Sequence, residues 1–80
     1  MKLEDLNPRI TDSNVLIFDC PCLQCGGRVR VPLKPTRNHR GESWDHSGKL
    51  PNLTLVPSVD AGCWHGYVSN GIITGVPSKI

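Results

Sequence analysis

Two short stretches restrict this chain more than anything else in it: Cys20-Pro21-Cys22-Leu23-Gln24-Cys25-Gly26 and Cys63-Trp64-His65. Together they hold four cysteines and a histidine, enough donors for one tetrahedral Zn²⁺. A Cys-x₂-Cys pair sets both sulfurs on the same side of a tight turn. A glycine after the second cysteine lets the backbone pass under the metal without a Cβ clash. Cys22, Cys25 and Gly26 meet that requirement. Cys63 and His65 alternate along an extended segment, so their side chains emerge on one face and can close the tetrahedron. The expected ligand set is Cys22, Cys25, Cys63 and His65. Cys20 is the alternative ligand, or else a small buried hydrophobe at the end of a strand.

Size makes such a staple plausible. An 80-residue domain buries only about 60% of the surface its unfolded chain exposes, and metals or disulfides usually supplement so small a core. The first residues, Met1 to Pro8, are polar and punctuated, unlike a secretory leader. No apolar run approaches the roughly 18 residues of a membrane span. The expected location is therefore the cytoplasm, where thiols stay reduced and bind metal in preference to forming disulfides. One Zn²⁺ is the expected cofactor, with an iron–sulfur cluster as the rival if all four cysteines bind.

Alternation of residue types supplies the fold. Val15 to Asp19 is a run of branched and aromatic residues with Leu16, Phe18 and Cys20 on one face. Arg28 to Leu33 alternates in the opposite sense, with Val29, Val31 and Leu33 inward, and Pro32 points to an edge. Leu53 and Leu55 share one side of a short strand. Cys63 to Ser69 and Ile72 to Val76 flank Asn70-Gly71, a strong hairpin signal. Tyr67 shares the face of Cys63 and His65 and would shield the metal. The expected fold is mostly β: a single zinc-stabilised domain over 1–80, built of two hairpins as a zinc ribbon or small open barrel. Residues 1–13 form an N-terminal arm, a short helix or an edge segment with Leu3 and Leu6 as the residues to dock it onto the core, and 34–49 a long irregular loop.

The net charge is only +2, yet Arg28, Arg30, Lys34, Arg37 and Arg40 lie together with no acid before Glu42. With Trp44 they are the candidate partner-binding residues, for an acidic protein or for phosphate; the competing reading is a solvated face and a tryptophan that covers the core.

The Cys-Pro-Cys cluster, Trp44, the Leu53 to Val59 stretch with its Pro57-Ser58-Val59, and Cys63-Trp64-His65 before a glycine turn resemble a family of small uncharacterised bacterial and phage zinc-binding proteins. The resemblance covers about residues 15–75. It implies a small metal-binding β domain and no particular reaction. The functional expectation is a structural-zinc interaction module, not an enzyme, that binds a protein partner, and in a phage context modulates a host protein. The alternatives are a nucleic-acid-binding protein using residues 28–40 and a zinc-dependent hydrolase or nuclease. For the last, neither Asp19 nor Asp60 has a spacing that singles it out.

Overall fold

A computed structural model describes residues 1–22, 26–62 and 64–77. The branched run forms β2 (Val15–Asp19), the centre of an antiparallel sheet between β1 (Arg9–Ile10) and β3 (Arg28–Pro32). The register sets Leu16 opposite Val31 and Phe18 opposite Val29, and all four are buried. Arg28 and Arg30 alternate outward. Pro32, with no N–H to give, ends a strand that is an edge of its sheet.

Two further antiparallel sheets complete the fold. β4 (Asp45–Ser47) pairs with β5 (Thr54–Val56), and β7 (Trp64–Ser69) lies between β6 (Val59–Asp60) and β8 (Ile72–Pro77). Asn70 and Gly71, at φ 48° and 77°, make the β7–β8 turn, the left-handed pair that a two-residue hairpin needs. One apolar cluster underlies all three sheets, with Leu16 and Phe18 from the first, Leu55 from the second and Trp64 and Val68 from the third. Phe18 meets Trp64 edge to face, ring centroids 6.3 Å apart, a contact that contributes about 0.5–1.5 kcal/mol beyond its buried area.

The expectation of two hairpins in a zinc ribbon or barrel is corrected. Among the described residues there are three small sheets over a shared core, with neither a closed barrel nor a zinc-ribbon geometry. The N-terminal arm is also part of that core. Its 3-10 helix, Leu3–Leu6, buries Leu3 and Leu6, the Leu3 N–H donates to the Gly71 carbonyl at 2.8 Å, and the Ile73 N–H donates to the Met1 carbonyl at 2.8 Å. The 34–49 segment holds β4, whose Asp-His-Ser sequence carries no apolar alternation. That segment is fastened where it crosses β3, with the Trp44 N–H on the Pro32 carbonyl at 2.9 Å and the Lys34 N–H on the Trp44 carbonyl at 3.0 Å. No described helix is long and apolar enough to cross a membrane.

Leu3 is fully buried, so Leu3→Ala should cost about 2–5 kcal/mol by leaving a cavity. Chemical denaturation checks this, and a loss within about 0.5 kcal/mol, the surface range, would make the segment peripheral.

Candidate active site

β6 is only two residues long, and its ladder with β7 sets Val59 opposite Gly66 and Asp60 opposite His65. Val59 points into the core, so the residues on either side of it, Ser58 and Asp60, belong to the opposite face. On β7 the same alternation buries Trp64, Gly66 and Val68 and leaves His65 and Tyr67 in solvent. Ser58 and His65 are thus diagonal neighbours on one face, the separation that side chains bridge across an antiparallel pair. His65 Nε2 lies 3.3 Å from Ser58 Oγ. A hydroxyl and an imidazole nitrogen at this separation have the geometry that a nucleophile and its base require, at the loose end of the range usual without substrate.

Two features hold the serine in place. Its carbonyl accepts from the Trp44 indole Nε1 at 3.1 Å, tying it to the 34–49 segment. Val59 behind it is anchored in the core. Asp60 is the carboxylate directly across the ladder from His65, but its Oδ1 accepts the Gly62 N–H at 3.0 Å. Among the described residues no carboxylate bonds the imidazole, and the contact of His65 is with Ser58.

The basic residues separate in space. Arg28, Arg30 and Arg40 line one open cleft of 320 Å³ with Trp44, Val59 and Asp60. Lys34 instead pairs with Asp45 at 3.0 Å, and Arg37 donates from Nη1 to the Gly41 carbonyl at 2.8 Å. Arg28 lies 3.8 Å from an Asp19 oxygen.

Of the expected metal ligands, Cys25 and Cys63 lie outside the described residues. Cys20 is buried in the core cluster, and Cys22, packed against that cluster, has its Sγ 3.4 Å from that of Cys20. Cys20 N–H donates to the Gly27 carbonyl at 3.0 Å, so the ladder of the first hairpin runs on to the edge of the cysteine turn. Gly26 was expected to relieve a Cβ clash beneath a metal; it has φ 66°, in the left-handed region, and a Cβ there would meet no described atom within 4 Å. His65 is exposed and directed at Ser58, while Tyr67 is 60% exposed. Among the described residues, no group of three or more His, Cys, Asp or Glu side chains is gathered to hold a metal ion.

Ser58 was legible only as part of a Pro-Ser-Val stretch, with no role attached to it. No spacing motif marks a serine and histidine that a strand pairing brings together, so sequence spacing alone gave no signal.

A family model described as "Bacterial ubiquitination-like system serine protease (BubE)" matches residues 3–76. No curated protein and no solved structure matches. Several expectations are corrected by this match and by the side-chain arrangement. The resemblance to a Cys-Pro-Cys zinc-binding family gives way to a serine protease family. The non-enzymatic zinc interaction module, its role as a phage modulator of a host protein, the nucleic-acid-binding alternative and the zinc-dependent hydrolase are overturned with it. The Zn²⁺ assigned to Cys22, Cys25, Cys63 and His65, or to Cys20, gives way with the match to a serine protease family; among the described residues no metal-holding cluster stands, and His65 Nε2 faces the Ser58 hydroxyl.

Gly66 controls how closely β7 approaches β8. A Cβ there would fall on the Thr74 carbonyl oxygen and within 2.8 Å of the Gly75 Cα. Gly66→Ala should cost about 1–3 kcal/mol by overpacking and displace the adjacent His65. Unchanged His65 ring signals in a heteronuclear NMR spectrum would show that Gly66 does not set the pair.

Proposed function

The chain belongs to the family of bacterial ubiquitination-like system serine proteases, and on that premise we propose that it cleaves a peptide bond by acyl transfer through Ser58, with His65 as general base. The observation that carries the assignment is the contact between Ser58 Oγ and His65 Nε2. A serine hydroxyl is a weak nucleophile until a base takes its proton. As Ser58 Oγ attacks the scissile carbonyl carbon, its proton passes to Nε2, and the carbonyl oxygen takes up the negative charge of a tetrahedral intermediate. Collapse of that intermediate breaks the C–N bond. Nε2 returns the proton to the leaving amine, and an ester remains on Ser58. A water then attacks the ester, His65 accepts its proton, and the acid product leaves as Oγ is reprotonated. His65 is exposed, so the second step has direct access to solvent water.

Ring orientation is supported by the β7 backbone and by Ser58 itself. The substrate is a protein of a ubiquitination-like system, in keeping with the family's description.

Ser58→Ala and His65→Ala should each lower kcat by about four to six orders of magnitude, and the double variant should be no worse than the single ones, because a nucleophile and its base act as a unit. A fluorophosphonate probe should label Ser58 in the unmodified chain and lose all labelling in Ser58→Ala. Labelling at another serine, or additive losses in the double variant, would remove the assignment.

A further inference from the structure

The cleft beside Ser58 and His65 carries charges that the cleavage chemistry does not use. Its wall includes Val59, Asp60 and Ala61, the residues immediately after the nucleophile, and Trp44, whose indole holds the Ser58 carbonyl. The wall of the cleft is therefore continuous along the chain with Ser58. Arg30 projects from β3 and Arg40 from the turn at 38–42, so the two guanidiniums reach it from different elements. Neither has a carboxylate partner among the described residues. The acids lining the same cleft are already engaged: Glu42 Oε1 accepts from Asn38 Nδ2 at 2.9 Å, and Asp60 Oδ1 accepts from the Gly62 backbone. Asn38 Oδ1 also accepts the N–H groups of both Arg40 and Glu42 at 2.9 Å, which orders the turn before anything binds.

We infer that this cleft is a subsite for an acidic segment of the polypeptide cleaved at Ser58, with Arg30 and Arg40 forking onto its carboxylates. The inference rests on the Ser58–His65 reading and adds the substrate class. A guanidinium presents parallel N–H donors that match a carboxylate, and two of them on separate elements fix a direction as well as a charge. A protein chain suits the cleft better than a nucleic acid. Among the described residues Trp44 is the single Trp, Tyr or Phe in its lining, where single strands need several stacking platforms.

The test separates binding from cleavage. Full-length chain carrying Ser58→Ala is titrated with a fluorescein-labelled peptide of alternating Glu and Gly, and with the same peptide bearing Gln for Glu, by fluorescence anisotropy. The acidic peptide should bind at least about tenfold more tightly, and added salt should erase the difference. Arg30→Gln with Arg40→Gln should remove that preference while leaving fluorophosphonate labelling of Ser58 intact in the otherwise unmodified chain. Arg30→Glu with Arg40→Glu should invert it toward a Lys–Gly peptide. Equal binding of the acidic and neutral peptides, a preference that survives both double variants, or tighter binding of a single-stranded oligonucleotide would overturn the subsite. Loss of labelling in Arg30→Gln/Arg40→Gln would instead place the arginines in the reacting geometry and overturn their role as a separate subsite.

Discussion

The candidate chemistry depends on a ladder two residues long. Val59 and Asp60 pair with Gly66 and His65, and that register brings Ser58, the residue just before β6, onto one face with His65 of β7. So short a strand cannot hold itself, since isolated strand pairs are marginal in water. It is held from both sides: the Val59 side chain is sunk in the common core, and the Trp44 indole clasps the carbonyl of Ser58. Gly66 contributes by absence. Without a side chain it lets β7 and β8 lie close enough for the ladder to keep its register on the other side.

Much of the fold could be read directly from residue order. The run from Val15 to Asp19 and the inverse alternation from Arg28 gave the right strands and edge; on β3 exposed arginines alternate with buried valines, whereas β2 buries Ile17 as well as Leu16 and Phe18, so its second face is covered too. Asn70-Gly71 gave the hairpin, since few other pairs tolerate two left-handed residues. β4 escaped notice because it is exposed throughout and stands on backbone pairing with β5, which leaves no hydrophobic trace. The amino-terminal segment was legible through its two leucines: a short helix or edge segment docked by Leu3 and Leu6 was expected, and both are buried.

The candidate site was less legible. Cysteine spacing is a strong local cue, and it drew His65 into a metal reading. The contact that matters for His65 is with Ser58, the residue just before the facing strand, and it arises from register, which no local motif encodes. The basic run was visible as charge, but only three dimensions show that Arg30 and Arg40 face one cleft while Lys34 and Arg37 are occupied elsewhere. Local sequence reports what a residue could bind. Pairing decides what it meets.

The chain's two tryptophans occupy unlike surroundings: Trp64 is sealed in the core, whereas Trp44 is half-buried with its indole nitrogen on the nucleophile's own carbonyl. Indole emission is sensitive to that difference, so the molecule carries an intrinsic optical reporter in the wall of its reaction centre. Anything that enters the adjoining cleft, or any acyl group left on the serine, shares an environment with one chromophore and not the other. Occupancy could then be followed by light alone, without attaching a label that would itself crowd so small a protein.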